Sequence, residues 1–246
     1  MKDVFKIHQD LGRYFKENHY KNALKLIRND VVLEVPVQLS HETYQKTFYL
    51  DMLIANGAII EFKVTDSLVK AHQAQLFNYL LMTQLQQGLL VNLGSDKVEK
   101  QFVNNTIPNH ERYKFRESLF DWDDGVEGAK HFRLLLNSLL ADWGGFLANS
   151  IYEDVLISLL GGADIIKSPA DVRIYNAGIG TVNVNLIADN VAFRVTGFYS
   201  DSALSNFEIN IRRFISHLKI DWLLWANIGR NVVQYRCIKK DNTNNR

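Results

Sequence analysis

Residues 47 to 65 read Thr47-Phe-Tyr-Leu-Asp-Met-Leu-Ile-Ala-Asn-Gly-Ala-Ile-Ile-Glu-Phe-Lys-Val-Thr65. β-branched and aromatic residues on both sides of Asn56-Gly57 predict a β-hairpin, because Asn-Gly is a strong signal for a tight turn. The two strands carry three charged residues, Asp51, Glu61 and Lys63. Because the strands are otherwise uncharged, these three side chains are the first candidates for chemistry.

The turn decides whether Asp51 lies on the same face as the other two charges. Glu61 and Lys63 are two residues apart on one strand, so both point to one face. A two-residue turn pairs Asp51 with Phe62 and sends the carboxylate to the opposite face. A three-residue loop, with Gly57 in the left-handed conformation, pairs Asp51 with Glu61. We expect the second register, or a bulge of equal effect.

Two carboxylates beside an ammonium group would form a site of hard oxygen ligands. Such a site suits Mg²⁺, and Lys63 would neutralise a phosphate or orient a water there. The alternative is an amphipathic hairpin whose three charges are simply solvated, because charges on one face of a strand are common. The spacing by itself leaves both interpretations open.

The composition predicts a globular protein without a membrane segment. The chain has 246 residues, of which 47% are hydrophobic, enough for one large core or for two domains of about 120 residues. The single cysteine, Cys237, excludes an intramolecular disulfide and fits a reducing compartment. We find no signal-peptide pattern and no apolar run long enough to span a membrane, and therefore expect a cytoplasmic protein. The net charge of +1 counts against a non-specific, high-affinity nucleic-acid binder.

The periodicity around the hairpin predicts one α/β unit that is complete by about residue 106. Apolar spacing predicts two helices within residues 2–28, separated at Gly12, and a helix over residues 68–87. Residues 31–38 predict a strand that Pro36 confines to a sheet edge or a strand end. Residues 88–94 predict a short buried strand. Gln75 and Tyr79 share a face of the later helix, where a polar rim residue and a core aromatic would be their ordinary roles.

Five motifs in this unit resemble the GxxExxY proteins, a family of the PD-(D/E)xK nuclease superfamily. They are Glu17-Asn-His-Tyr20, Leu50-Asp51, Glu61-Phe-Lys63, His72-Gln-Ala-Gln75-Leu-Phe-Asn-Tyr79 and Gly88-Leu-Leu-Val-Asn92. They occur in the family's order over residues 3–104, and the interval from the aspartate to the glutamate and lysine is the one the family uses. The sequence departs from the family at two positions. Tyr14 stands where the family usually has a glycine, and Leu50 stands where the family has a proline before the aspartate.

The resemblance implies roles for six residues. In the superfamily the aspartate and the glutamate bind the divalent metal and the lysine assists the attacking water, which would be the roles of Asp51, Glu61 and Lys63. The resemblance implies that Glu17 is the early-helix glutamate of the RecB-like branch and a further ligand of Mg²⁺ or Mn²⁺. It assigns the Q-x-x-x-Y signature of that branch to two residues of the later helix, which are Gln75 and Tyr79.

The second half of the chain repeats the motifs of the first in the same order, after a predicted connector over residues 107–130. The first repeated pattern is Leu11-Gly12 followed by Tyr20 and Leu24, which returns as Trp143-Gly144 followed by Tyr152 and Leu156. The other three pairs of segments are Leu53–Asn56 and Leu186–Asp189, Phe62–Thr65 and Phe193–Thr196, and Leu90–Gly94 and Trp225–Gly229. We interpret the pattern as an internal duplication.

The chemistry does not repeat. On this alignment the first-half site residues are replaced as follows: Asn149 for Glu17, Ala192 for Glu61, Arg194 for Lys63, Asn210 for Gln75, Phe214 for Tyr79, and residues 181–185 for the segment with Asp51. Without the carboxylates the second copy has little to hold a hard cation, and we expect a scaffold without a metal site.

The sequence therefore predicts an α/β (α+β) protein of two tandem restriction-endonuclease-like αβββαβ units, each a mixed sheet flanked by helices. Residues 1–106 would form the nuclease-like domain, and residues 107–246 the connector and the degenerate repeat. The predicted function is Mg²⁺-dependent hydrolysis of phosphodiester bonds, with DNA as the expected substrate. The alternative is a non-catalytic module that binds nucleic acid or protein. Fold alone does not choose between the two.

Overall fold

The chain folds into two compact units, Met1–Ile107 and Pro108–Arg246. The computed structural model describes residues 1–55, 57–175 and 177–241. The boundary between the units lies one residue from the one predicted at 106/107. In the described ranges, no helix has the length and apolar character needed to cross a membrane.

The first unit is a five-stranded mixed sheet, with two helices before its first strand and a third helix between its third and fourth strands along the chain. Its elements are α1 (Lys2–Leu11), α2 (Glu17–Ile27), β1 (Val31–His41), β2 (Tyr44–Ile54), β3 (Ala58–Lys63), α3 (Lys70–Thr83), β4 (Gln87–Asn92) and β5 (Glu99–Asn104). The strand order is β1-β2-β3-β4-β5, in which β3 and β4 are parallel and the other neighbours antiparallel. Strand β1, which contains Pro36, lies at the edge, as predicted.

The two faces of this sheet bury separate hydrophobic clusters. Residues of α1 and α2, such as Tyr20 and Leu24, pack with Phe62 in one cluster. Residues of α3, such as Leu76 and Leu80, pack with Leu90 in the other. Since Phe62 belongs to the α1 and α2 side, strand alternation directs its two neighbours in β3 to the α3 side.

Strand β2 changes face beside Asp51. The pairs Leu33↔Met52 and Val35↔Leu50 place Glu34 opposite Asp51, and Glu34 has a left-handed φ of 50°. Met52 packs in the cluster with α1 and α2, whereas Leu50 packs in the cluster with α3. Regular alternation would put both on one face, so the backbone irregularity at Glu34 coincides with the point where Asp51 enters the site.

The second unit is a six-stranded mixed sheet. Its elements are α4 (Asn109–Arg112), β6 (Arg116–Leu119), α5 (Ala129–Trp143), α6 (Asn149–Leu159), α7 (Ala163–Ile166), β7 (Lys167–Ile174), β8 (Ala177–Ala188), β9 (Val191–Thr196), α8 (Asp201–Ser216), β10 (Trp222–Ile228) and β11 (Val232–Lys239). The strand order is β6-β11-β10-β9-β8-β7. The prediction of a connector over residues 107–130 was incomplete, because β6 pairs with β11 and extends this sheet.

Both units place a tyrosine of their second long helix on the end of the helix before it. The hydroxyl of Tyr20 donates to the carbonyl of Gly12 at 2.6 Å, and the hydroxyl of Tyr152 donates to the carbonyl of Gly144 at 2.7 Å. Gly12 and Gly144 have nearly the same left-handed φ, 73° and 72°. Each glycine therefore ends its helix in a conformation that suits glycine, and the tyrosine satisfies the freed carbonyl.

Candidate active site

The register of the hairpin brings Asp51 opposite Glu61. Pairing runs from Ile54↔Ala58 to Met52↔Ile60, which is the register of a three-residue loop, and one further step pairs residue 51 with residue 61. The predicted turn residue Asn56 lies outside the described residues. Ala55 has a left-handed φ of 49°; the same conformation at Gly57 stays a prediction.

Asp51 is held by two donors on different elements. Its Oδ2 accepts a hydrogen bond from the backbone N–H of Phe62 at 3.1 Å, and its Oδ1 accepts from Nζ of Lys21 at 3.2 Å. The first contact ties β2 to β3 just beyond their paired segment, and the second ties β2 to α2. Asp51 is consequently fixed in position at the end of the paired hairpin.

Glu61 is the most buried charged residue of the site, with 1% of its surface exposed. Its Oε1 lies 2.8 Å from Nζ of Lys63, whereas its Oε2 is buried with no hydrogen-bond partner among the described residues. Burial, and then the nearby charge of Asp51, raise the pKa of Glu61 from 4.5 to about 7. A buried carboxylate oxygen without a partner is costly, which makes this atom the clearest place for a ligand.

Lys63 interacts electrostatically with Glu61, Glu17 and Asp51. Burial by itself would lower the pKa of Lys63, but the hydrogen bond to Glu61 and the negative charges of Glu61, Glu17 and Asp51 raise it. Glu17 also raises the pKa of Glu61, as a smaller contribution than burial or Asp51. Glu17 is the first residue of α2, and its link to Glu61 and Lys63 is electrostatic.

The predicted Q-x-x-x-Y pair forms a direct contact. Nε2 of Gln75 donates to the hydroxyl oxygen of Tyr79 at 3.1 Å, as their spacing of four residues on α3 allows. Burial raises the pKa of Tyr79, and the charges of Glu61 and Asp51 raise it further. The ring of Tyr79 is buried in the cluster with α3, and the phenol is coupled electrostatically to the acidic groups.

Lys21 is a site residue that the sequence analysis missed. It is 9% exposed and lies between Asp51 and Glu34, with a short contact to Oε1 of Glu34. Burial by itself would lower the pKa of Lys21, but its two carboxylate partners raise it. The position follows Tyr20 on α2 and carries no motif of its own, so its partners became visible only with the sheet in place.

The acidic residues fit a divalent cation that is held by few protein ligands. Among the described residues no group of three or more His, Cys, Asp and Glu side chains is arranged to hold a metal ion, so Glu17, Asp51 and Glu61 do not form a preassembled trio. Mg²⁺, however, is usually bound by one or two carboxylates together with waters and substrate phosphates. Asp51 and the unpartnered oxygen of Glu61 fit that requirement, and the role of Glu17 as a ligand stays a prediction.

A buried asparagine makes a similar contact in each of the two units. Asn92 and Asn227 are both almost fully buried. Oδ1 of Asn92 accepts from the N–H of Thr65 at 3.2 Å, and Oδ1 of Asn227 accepts from the N–H of Phe198 at 2.7 Å. In each unit the asparagine thus ties the strand after the helix to the chain that leaves the neighbouring parallel strand.

The strand register beside these asparagines differs from the alignment predicted for Arg194. Lys63 pairs with the first of them, and Thr196 pairs with the second. Counted from the asparagine in each strand, Thr196 has the register of Lys63, and Arg194 has the register of Glu61. The predicted alignment differs from this register by two residues along β9, which leaves the strand face unchanged.

The second unit carries an ion pair of opposite polarity near this position. Oε1 of Glu153 on α6 accepts from the N–H of Val195 at 2.9 Å and lies 3.5 Å from Nε of Arg194. Burial raises the pKa of Glu153. The first unit has the cation on the helix and the carboxylate on the strand; the second has the carboxylate on the helix and the cation on the strand.

The other predicted counterparts do not rebuild a polar site in the second unit. Asn149 is the first residue of α6, as Glu17 is of α2. Ala192 is buried among apolar residues. Nδ2 of Asn210 donates to the carbonyl of Asn206 on its own helix, and Phe214 lines a cavity.

Comparison with known proteins supports a nuclease-like first unit. Residues 1–104 match the PD-(D/E)XK nuclease superfamily. No curated protein matches the chain. The crystal structure of SSO0001 is similar over 38% of this chain and 52% of that one, with 19% sequence identity and a TM-score of 0.32. The match thus spans about half the length of that protein.

Proposed function

We propose that this chain, whose first unit matches the PD-(D/E)XK nuclease superfamily, is a divalent-metal-dependent nuclease that cleaves DNA. The observation that carries the proposal is Glu61, a buried carboxylate that shares one oxygen with Lys63 and leaves the other without a partner. Burial of an unpartnered carboxylate oxygen costs stability. Binding of a cation at this oxygen would explain why the chain buries it. The choice of DNA rests on the family resemblance.

In this proposal Asp51 and Glu61 hold Mg²⁺ or Mn²⁺. When bound, the cation supplies Lewis-acid polarisation of the phosphate and a more acidic water. Lys63, which remains protonated beside Glu61, neutralises the negative charge that grows on the phosphate during attack. The backbone N–H of Phe62 holds one oxygen of Asp51 in place, so that the carboxylate does not need to reorganise.

Glu17, Gln75 and Tyr79 have supporting roles in the proposal. Glu17 adds negative charge that favours a cation. The Gln75 amide holds the Tyr79 hydroxyl, which orients that phenol beside the acidic groups. A hydroxyl in this position is suited to contact a phosphate or a water of the substrate complex.

The decisive experiment is a cleavage assay on single- and double-stranded DNA and on RNA, with Mg²⁺, Mn²⁺ or EDTA. We expect cleavage of DNA that requires metal, and a loss of roughly 10²-fold or more in Lys63→Ala, since the lysine acts on transition-state charge. Lys97→Ala, an exposed lysine of the same unit, is the matched control. Undiminished cleavage by Lys63→Ala, in protein free of contaminating nuclease, would contradict the proposal.

A second function, binding of nucleic acid without cleavage, is favoured by one observation. Asp51 already has a cationic partner in Lys21, which is itself shared with Glu34. If this ion pair persists in the presence of metal, Asp51 is a structural residue. DNA binding that is insensitive to EDTA, without cleavage under any metal, would select this function over the first.

We also propose that the second unit is a degenerate repeat of the first. The support is the shared order and direction of five strands, the paired tyrosine-to-glycine hydrogen bonds and the buried asparagines. With Arg194 at the place of Glu61, the repeat has a cation where the first unit has a carboxylate.

A further inference from the structure

The second unit contains a cavity of about 350 Å³ between β8, β9 and α8. Its walls are mainly apolar, and they include Val184 and Ala192 from the sheet and Phe207, Ile211 and Phe214 from the helix. The volume lies at the small end of the range found for ligand sites, which are typically apolar with a few polar groups. The cavity therefore has the character of a site for a small molecule or for one residue of a polymer.

The cavity lies where two neighbouring strands separate. Pairing between β8 and β9 comprises Leu186↔Ala192 and Ala188↔Val191. Residues 182–185 of β8 and 193–194 of β9, which line the cavity, lie beyond these pairs. Strands that separate leave backbone N–H and C=O groups without a cross-strand partner. Polar edges of a ligand can use such groups.

Arg194 supplies a positive charge at the wall of this cavity. Its side chain is 55% exposed, and its contact to Glu153 at 3.5 Å uses Nε. The two terminal nitrogens of the guanidinium carry four further N–H donors, in a fork that suits a phosphate. Glu153, which also accepts from the N–H of Val195, orients the arginine without using the whole group.

Aromatic rings form the opposite part of the lining. Phe207 is fixed by Trp225 and Phe198, with ring centroids 4.8 Å and 5.4 Å away. Phe214, with 39% of its surface exposed, also lines the cavity. Nucleic-acid bases stack favourably on aromatic side chains, whatever their sequence. The lining thus combines flat apolar surfaces with one anion-binding group.

We propose that this cavity binds a single nucleotide, with the phosphate at Arg194 and the base against Phe207 and Phe214. The nucleotide is either a free nucleoside monophosphate or an unstacked nucleotide of a single strand. The proposal goes beyond the nuclease function, because it assigns a binding site to the unit that lacks the metal-binding carboxylates.

The test is a calorimetric titration of the full chain in EDTA, with dAMP, dTMP and a short 5′-phosphorylated single strand as separate ligands. We expect Arg194→Gln to weaken binding roughly tenfold or more, because a charge-assisted hydrogen bond is lost. Arg213→Gln, on the same helix as Phe214 but outside the cavity lining, is the matched control and should bind as the wild type does. Phe214→Ala should weaken binding roughly fivefold or more.

Glu153→Gln should have the opposite effect from Arg194→Gln. The amide oxygen can still accept from Val195, while the loss of negative charge should strengthen anion binding roughly threefold. Opposite signs for these two variants cannot arise from a common loss of folding. Tighter binding of the mononucleotides would identify the free ligand, and tighter binding of the strand would identify a polymer end.

Three results would overturn the proposal. They are no binding of any nucleotide at millimolar concentration, binding that Arg194→Gln leaves unchanged, and binding that Phe214→Ala leaves unchanged. A failed nuclease proposal would look different: the wild type would cleave no substrate, or Asp51→Asn and Glu61→Gln would cleave as well as the wild type, while the titration in EDTA would be unchanged.

Discussion

Glu61 makes the stability of the protein depend on pH in the absence of metal. Its folded-state pKa is raised from 4.5 to about 7, so between these values the folded protein holds a proton that the unfolded chain has released. The stabilising contribution of this proton is complete below the unfolded-state pKa and is lost as pH rises through the folded-state pKa. The window is therefore pH 4.5 to about 7.

We predict that metal-free Glu61→Gln loses most of this pH dependence. Up to about 3 kcal/mol of unfolding free energy should disappear from the wild type across the window, relative to the variant. Urea unfolding in EDTA at pH 5 and pH 8 measures the difference. Parallel pH profiles for the two proteins would show that Glu61 is ionised throughout and that its burial is compensated.

We predict that Lys21→Met strengthens Mg²⁺ binding. Lys21 places a positive charge 3.2 Å from Oδ1 of Asp51, and removing it should raise cation affinity roughly tenfold, which corresponds to about 1.4 kcal/mol. Titration calorimetry measures the change. Lys25→Met, one turn further along α2 and bonded to the carbonyl of Val31, controls for the loss of a helix lysine. Equal or weaker Mg²⁺ affinity in Lys21→Met would mean that Asp51 does not bind the cation.

At the scale of residues, part of the candidate site could be predicted from sequence spacing, and the rest depends on the tertiary structure. The interval from Asp51 to Glu61 and the i, i+4 spacing of Gln75 and Tyr79 are visible in the sequence. The contact of Lys21 with Asp51 joins residues 30 apart. No periodicity predicts it, because it depends on how α2 crosses the sheet.

At the scale of elements, both units contain a tyrosine whose hydroxyl donates to the carbonyl of the glycine that ends the preceding helix. We predict that Tyr20→Phe and Tyr152→Phe each lower the unfolding free energy by about 1–3 kcal/mol, because a glycine carbonyl loses its donor. Tyr152→Phe should be the more damaging, since its oxygen also accepts from the N–H of Leu147 at 3.3 Å. Denaturant unfolding measures both.

The control for this pair is Tyr14→Phe. Tyr14 is 87% exposed, and its hydroxyl accepts from Arg13 at the surface, so its removal should change stability little. Similar losses for all three variants would show that the buried hydroxyls contribute nothing specific.

Two of the elements that the sequence missed are strands with weak apolar patterns. The segment of β5, Glu99–Asn104, is exposed along most of its length, and β6 has four residues, Arg116–Leu119. Each joins its sheet through backbone pairing to a neighbour. Hydrophobic periodicity reports burial, so a strand that buries little is not visible to it. The central hairpin was predictable because its turn and its apolar strands agree.

At the scale of the whole molecule, the duplication that we propose implies a change in the sign of the charge at one strand position. Glu61 on β3 and Arg194 on β9 lie at the same register from the buried asparagine of the neighbouring strand. The repeated motifs predicted two similar folds, and the interval from Leu-Ile-Ala to the Phe-x-Val-Thr motif is two residues shorter in the second half. The register beside the buried asparagines differs from the predicted alignment by the same two residues.

We predict that Mg²⁺ stabilises the first unit and leaves the second unchanged. A ligand that binds only the folded state contributes about 2.7 kcal/mol at a hundred times its dissociation constant. Hydrogen exchange with and without Mg²⁺ locates this effect, since local opening reports on each segment separately. Protection should increase in peptides from β2, β3 and α3, within residues 1–107, and not in peptides from residues 108–241. The double variant Asp51→Asn and Glu61→Gln should abolish the increase, whereas Arg194→Gln should preserve it. Protection by Mg²⁺ around β9 and α6 would instead show that Glu153, despite its arginine partner, gives the second unit a cation site of its own.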